Sequence, residues 1–150
     1  MTSHTETRVT PYSAELMFAV VADVENYPKF LPWVTSLDVL SREHVDGRDV
    51  LSARMTVGFG GFRESYVSRV TLDPAARVID VAQTEGPFRL LENHWRFTPL
   101  ERGCRVDFSV SFEFRSRLLN AVAAAAFGRV FLKMEDAFIE RARRMSKQTA

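Results

Sequence analysis

"RVDFSVSFEFRSRLLNAVAAAAFGRVFLKMEDAFIERARRMS", residues 105–146, changes its hydrophobic period partway along. In the first ten residues Val106, Phe108, Val110, Phe112 and Phe114 alternate with Arg105, Asp107, Ser109, Ser111 and Glu113. Alternation at period two marks a strand with one buried and one wet face. From Leu118 the period becomes 3.6. Leu119, Val122, Ala123, Ala126, Phe127, Val130, Phe131, Met134, Ala137, Phe138, Ala142 and Met145 then share one face. That spacing predicts one amphipathic helix ending near Ser146, about 40 Å long at 1.5 Å per residue. A strand with one apolar face needs a cover, and a helix of this length is able to supply it for a whole sheet.

Period two also runs upstream. In "LSARMTVGF" Leu51, Ala53, Met55, Val57 and Phe59 oppose Ser52, Arg54, Thr56 and Gly58. Asp46-Gly47 before it and Gly60-Gly61 after it are hairpin signals. Residues 62–72, 77–84 and 88–98 read as further strands, separated by Asp73-Pro74 and Glu85-Gly86-Pro87, with Leu91, Trp95 and Phe97 on one face of the last. Arg102-Gly103 turns the chain into the final strand. Turns this short join only antiparallel neighbours. At the start, residues 5–10 read as a short strand stopped by Pro11. Ser13 reads as the N-cap of a helix over 14–24, whose apolar face is Leu16, Met17, Val20, Val21 and Val24. Pro28 and Pro32 stop that helix and leave room for a helical turn or two over 26–33. With every strand expected to carry one apolar face, the whole is an α+β fold. A curved antiparallel sheet of about seven strands wraps a long C-terminal helix, and residues 1–150 form one domain.

Composition narrows the function classes. Hydrophobic residues are 46% and charged residues 26%, and the net charge of +1 provides no global field for a nucleic-acid ligand, so no DNA partner is expected. The single cysteine, Cys104, forms no internal disulfide and has no neighbour that would activate it, which fits a reducing compartment. The N-terminal residues lack the apolar core of a secretory signal. The most apolar run, Leu118–Leu132, is interrupted by Arg129 and too short to span a bilayer, so a cytoplasmic location is expected. His4, His44 and His94 fall in different elements, with no metal-ligand spacing. "GFGGF", Gly58–Phe62, joins strand to strand, which makes it a hairpin rather than a phosphate cradle. Asp107 and Glu113 should face water, and Asp23 should hold the turn after the first helix. No catalytic residue, metal or cofactor is expected, and the chain reads as a non-enzyme. The basic tail, Arg141, Arg143, Arg144 and Lys147, suits the negative end of a helix dipole, with anionic lipid or ribosomal RNA as the alternative partner.

What remains is an apolar surplus: twelve phenylalanines, Trp33, Trp95 and five methionines. Against this the last helix sets Ala121–Ala126. Those small side chains either let the helix approach the sheet and close a solid core, or leave a cavity floored by aromatics and methionine.

Residues Pro11–Val34, "PYSAELMFAVVADVENYPKFLPWV", resemble the N-terminal signature of the coenzyme-Q-binding START-like family, which includes bacterial ribosome-association toxins. The matching residues are Pro11, Tyr12, Phe18, Val21, Asp23, Val24, Tyr27, Pro28, Phe30, Leu31, Pro32 and Trp33; Thr10 stands where the family's phrase opens with valine. "SRVTL" (Ser68–Leu72), "GPFRLLENHWRF" (Gly86–Phe97), "VDFSVSFEFRSRLL" (Val106–Leu119) and "FGRVFLKMEDAFIERA" (Phe127–Ala142) extend the likeness over most of the chain. The resemblance implies a helix-grip fold around an apolar tunnel. It also implies non-enzymatic binding of ubiquinone or a related polyprenyl quinone, in support of respiration. The expected ligand-binding residues are Tyr27, Phe30, Leu31, Trp33, Met55, Val57, Phe59, Trp95, Phe97, Phe108, Phe112, Phe127, Phe131 and Met134, with the quinone ring near Trp33. The alternatives it carries are a toxin-like protein acting on the large ribosomal subunit and a polyketide cyclase-type enzyme. The enzyme would need Asn93, Asp23 or Tyr66 as a buried polar group. Tyr27–Trp33 is then either a plug in one end of the core or a lid that touches a bilayer, which would place the protein peripherally at the inner membrane.

Overall fold

The computed structural model describes residues 2–59 and 62–148, and at positions 59, 62, 123–125, 127, 128, 132 and 148 the backbone alone. Seven antiparallel strands form one sheet in the order β1-β7-β6-β5-β4-β3-β2. They are β1 (Thr2–Thr10), β2 (Val34–Val45), β3 (Arg48–Phe59), β4 (Phe62–Asp73), β5 (Val78–Glu85), β6 (Phe88–Pro99) and β7 (Cys104–Phe114). Helices α1 (Ala14–Ala22) and α2 (Tyr27–Phe30), with a 3₁₀ turn at Val24–Asn26 between them, separate β1 from the six-stranded meander. Helix α3 (Arg117–Gln148) closes the chain. This is the helix-grip architecture expected from the sequence.

Local chemistry explains the turns. Asp46 and Gly47 both have positive φ (52° and 78°), the geometry whose twist matches a two-residue hairpin. Gly103 has φ 75°, and a Cβ there would stand 1.9 Å from the Thr10 carbonyl oxygen, so only glycine lets β7 begin beside the end of β1. The β3–β4 turn at residues 60–61 lies outside the described residues, but the flanking ladder pairs Phe59 with Phe62. Ser13 caps α1 by accepting from the Leu16 N–H at 3.0 Å.

Strand β7 alternates as its sequence dictates: Val106, Phe108, Val110, Phe112 and Phe114 are all buried. Three expectations need correction. Strand β1 starts at Thr2 rather than residue 5, because its whole length pairs with β7 from Thr2↔Phe112 to Thr10↔Cys104. Helix α1 ends at Ala22, two residues early, because Asp23 leaves helical geometry at ψ 64° and the chain re-forms as the 3₁₀ turn. Nor does every strand have one apolar face. The inward face of β1 is polar, with Thr2, His4, Glu6 and Arg8 half-buried and Thr10 buried, while Val9 is 68% exposed; the far half of β2 is exposed on both sides.

Helix α3 has 32 residues and spans about 48 Å. Asn120 ties it to β7: its Oδ1 accepts from the Phe114 N–H at 2.7 Å and its Nδ2 donates to the Phe114 carbonyl at 3.0 Å. The C-terminal half meets the sheet and α1 through Val130, Phe131, Phe138 and Ala142, all buried. Val122, expected on the inner face, is exposed, as is Leu118 at 74%. Its first turns are held to β7 by Asn120 and by half-buried Leu119, and among the described residues its fully buried apolar side chains begin at Val130.

Candidate functional site

Between sheet and α3 lies a cavity of about 120 Å³. Its floor is the inward face of β3–β7, its roof is Val130, Phe131, Met134 and Phe138 of α3, and its side wall is Val24, Tyr27, Leu31, Trp33, Val34 and Leu37. The floor is mainly aliphatic and aromatic: Ala53, Met55, Val57, Val70, Ile79, Val81, Phe88, Leu91, Trp95, Phe108, Val110 and Phe112. Aromatic contacts fix this lining. Trp95 lies 4.3 Å from Phe108 and edge-on to Phe138 at 5.2 Å, while Phe131 reaches down to Phe112 at 5.9 Å. A gap between sheet and helix is present, and its helix wall is Val130, Phe131, Met134 and Phe138, not the described members of the alanine run. The side chains of Ala123–Ala125 are outside the described residues, and Ala121 is exposed.

The structure brings ten of the fourteen sequence-selected residues to this cavity: Tyr27, Leu31, Trp33, Met55, Val57, Trp95, Phe108, Phe112, Phe131 and Met134. The side chains of Phe59 and Phe127 lie outside the described residues. Phe97 and Phe30 are elsewhere. Phe97 sits one inward position beyond Trp95, covered by Phe18 of α1 at 5.8 Å, so α1 fills the space that a ligand would need. Phe30 packs outside, on Phe138 at 5.5 Å and under the Arg141 guanidinium at 5.3 Å.

Four polar side chains reach the lining: Tyr27, Tyr66, Ser68 and Asn93. The Tyr27 hydroxyl donates to the Val21 carbonyl. Ser68 is 5% exposed and its hydroxyl has no hydrogen-bond partner among the described residues; the side chains of Tyr66 and Asn93 also make none there. Gln83, their neighbour in the sheet, is already committed to the Phe88 backbone, at 2.8 Å to its carbonyl and 3.1 Å from its N–H. Burial pushes both phenols well above the ordinary tyrosine range, so both keep their protons. Asp23 is not part of the lining; it accepts from the Asn26 amide and holds the turn, as expected.

Sequence reasoning passed over Glu135. It is 1% exposed on the inner face of α3, and neither carboxylate oxygen has a partner among the described residues. Burial, reinforced by Glu6, pushes its pKa up to about 8. Nearby, Arg8 instead pairs with Asp136 at 2.6 Å, and the His4 ring stacks on Phe131 at 5.6 Å. The signal was its position, four residues after Phe131 and three before Phe138.

Among the described residues no cluster of His, Cys, Asp and Glu could hold a metal. Cys104 is fully buried, with burial pushing its thiol up to about 11. His94 faces outward and pairs with Asp80 at 2.6 Å. The basic tail is partly matched: Arg143 and Arg144 both reach Glu140, whose carboxyl the Arg143 hydrogen bond holds down at about 2. Lys29, Arg141 and Arg144 line an outer groove beside Phe30. No helix of the described residues is long and apolar enough to cross a membrane.

A curved antiparallel sheet gripping a C-terminal helix around an apolar cavity defines the START/Bet v1-like class of folds. Residues 10–139 match the polyketide cyclase / dehydrase and lipid transport family, and the chain belongs to it. It is 40% identical over 147 residues to the mitochondrial coenzyme Q-binding protein COQ10 of Drosophila melanogaster, a match covering 95% of this chain and 59% of that protein. The chain thus spans less than two thirds of that relative. It is 36% identical over 142 residues to the ribosome association toxin RatA of Escherichia coli K12, covering 91% of this chain and 84% of the toxin. The solution structure of the 18 kDa protein CC1736 from Caulobacter crescentus superposes with a TM-score of 0.82 at 38% identity, over 98% of this chain and 99% of that one.

Proposed function

We propose that this chain binds a polyprenyl quinone such as ubiquinone in the cavity beneath α3 and carries out no chemistry on it. What supports this is a cavity lined mostly by aromatic and aliphatic side chains, with a few uncommitted hydrogen-bonding groups. Its titratable groups are two tyrosines held protonated by burial, so neither acts as a base at neutral pH; Tyr27 already donates to the Val21 carbonyl, which leaves Tyr66 to donate to a ligand. A relative named for coenzyme Q binding, at 40% identity, points the same way. The cavity is not wholly apolar, so the cyclase alternative rests on Tyr66 and Asn93 alone. Purification from cells followed by mass spectrometry of the extracted lipid tests the proposal. Enrichment of a prenyl quinone is expected, and its absence together with no uptake of added quinone would overturn it.

The second reading is binding to the large ribosomal subunit, favoured by the toxin relatives and by the outer groove that Lys29, Arg141 and Arg144 line. Co-sedimentation with ribosomal subunits at low salt should then be lost when Arg141, Arg143 and Arg144 are all changed to Glu. Such exposed cationic contacts are strongly salt-dependent.

A further inference from the structure

Tyr66, Ser68 and Asn93 stand together on the cavity floor. Tyr66 and Ser68 are successive inward residues of β4, opposite Met55 and Ala53 of β3. Asn93 lies two strands away, opposite Val81, which is itself opposite Val70, the next inward residue after Ser68. The three polar groups therefore make one diagonal strip across an otherwise apolar floor, and none has a hydrogen-bond partner among the described residues. Of the three, Ser68 is buried and Tyr66 and Asn93 are half-buried where they face the cavity; a buried polar group without a partner is rare in folded proteins and points to a missing one.

Size restricts that partner. A cavity of about 120 Å³ is close to the ~150 Å³ apolar cavity known to accept one benzene ring. That volume matches one six-membered ring or about one isoprenoid unit. If a hydrocarbon tail filled it, the polar strip would stay unmatched, which weakens binding by on the order of tenfold or more per group. A flat ring bearing carbonyl and ether oxygens matches the strip instead, since Tyr66 and Ser68 donate through hydroxyls and Asn93 through its amide.

Resting on the quinone reading above, we propose that the ligand enters head first. The quinone ring is seated on Tyr66, Ser68 and Asn93, and the prenyl tail stays outside the cavity. This moves the ring away from Trp33, where the resemblance placed it, and makes the oxygenated head the determinant of specificity.

Calorimetric titration with ubiquinone-0, ubiquinone-1, ubiquinone-2 and the tail fragment geraniol tests this. The expected affinity changes by less than about tenfold for each added isoprenoid unit, and geraniol binds at least about tenfold more weakly than ubiquinone-0. A fully buried tail would instead gain several hundredfold per five-carbon unit, at the usual burial energy of each carbon. Tyr66→Phe, Ser68→Ala and Asn93→Leu should each weaken ubiquinone-0 by about 3- to 10-fold, with thermal melts confirming the fold. Tyr66→Phe and Ser68→Ala barely change volume and keep the test valid if Asn93→Leu unfolds. Affinity rising more than tenfold per unit, geraniol binding as tightly as ubiquinone-0, or wild-type affinity in both conservative variants would overturn the head-first arrangement while leaving quinone binding intact. Failure of all three quinones to bind would overturn the ligand assignment itself, and this orientation with it.

Discussion

Replacing Glu135 by Gln should remove a pH dependence from the protein's stability. Glu135 is 1% exposed with both oxygens unpartnered, and its pKa rises from 4.5 to about 8 on burial. Between those values the folded state keeps the proton and the unfolded state loses it. The unfolded state then binds fewer protons, so stability falls as pH rises through this window and levels off above about pH 8. At 1.36 kcal/mol per pH unit for one proton, the loss from pH 5 to pH 7 is about 3 kcal/mol. The charged and titratable groups around it are Glu6, His4 and Arg8 on β1, Asp107 on β7 and Asp136 on its own helix. Arg8 offsets little, because its guanidinium is engaged by Asp136.

The assay is urea unfolding of wild type and Glu135→Gln at half-unit steps from pH 5 to pH 8. Subtracting one curve from the other cancels every other titrating group. The difference should favour the variant increasingly with pH, by about 3 kcal/mol over two units. Glu140 acts in the opposite sense and outside the window: its depressed carboxyl stabilises above its ordinary range and that benefit is lost as pH falls toward 2. Parallel stability curves for the two proteins, or a Glu135 carboxyl that titrates near 4.5 by carbon NMR, would refute the reasoning.

Phe138→Ala should cost about 3–5 kcal/mol in urea unfolding, since the ring is buried between Tyr27, Phe30 and Trp95. Gly103→Ala should lower stability by about 3 kcal/mol, because a left-handed backbone and a 1.9 Å clash with the Thr10 carbonyl oxygen leave no room for a methyl group; a thermal melt reads the loss. Asn120→Ala removes both hydrogen bonds to Phe114 and should cost about 2 kcal/mol, with faster hydrogen exchange at the Phe114 amide as its local signature.

The parts of the fold legible in the sequence are those where local chemistry and burial agree. In β7 each alternating aromatic is also a buried one, and Asp46-Gly47 makes the turn its residues favour. Strand β1 reads short in the sequence because its inward residues are polar; its place is set by backbone pairing to β7, which has no hydrophobic signature. The inward direction of Tyr66, Ser68 and Asn93 follows from their phase with Val70 and Trp95, but their lack of partners depends on strands that meet only in the folded sheet. Phe97 has the same phase as Trp95, yet only Trp95 meets the cavity, because α1 covers the end of β6. Counting apolar positions along α3 stepped over Glu135, the one charged side chain of that helix that is fully buried among the described residues.

Of the two roles open to the aromatic segment Tyr27–Trp33, plug or lid, its contacts match a plug that continues into a fixed wall. Its first half is a plug: Tyr27 hydrogen-bonds the Val21 carbonyl and meets Phe138 at 5.3 Å, and Leu31 is 2% exposed. Its second half is a wall. The Trp33 carbonyl accepts from the Gly58 N–H at 2.9 Å, which fixes the backbone to β3, while the half-buried indole lines the cavity. A hinged lid would have to break the anchors at both ends. Trp33→Ala should therefore cost about 1–2 kcal/mol in stability, below the loss at Phe138 because the indole is only half covered. It should also weaken quinone binding about tenfold by opening one wall of the cavity to solvent. Tyr27→Phe should cost about 1 kcal/mol by leaving the Val21 carbonyl unmatched, with quinone affinity little changed. Urea unfolding and calorimetric titration of both variants measure the two effects separately. Unchanged affinity in Trp33→Ala would show that the indole does not meet the ligand, and equal affinity losses in the two variants would show that the segment moves as one lid.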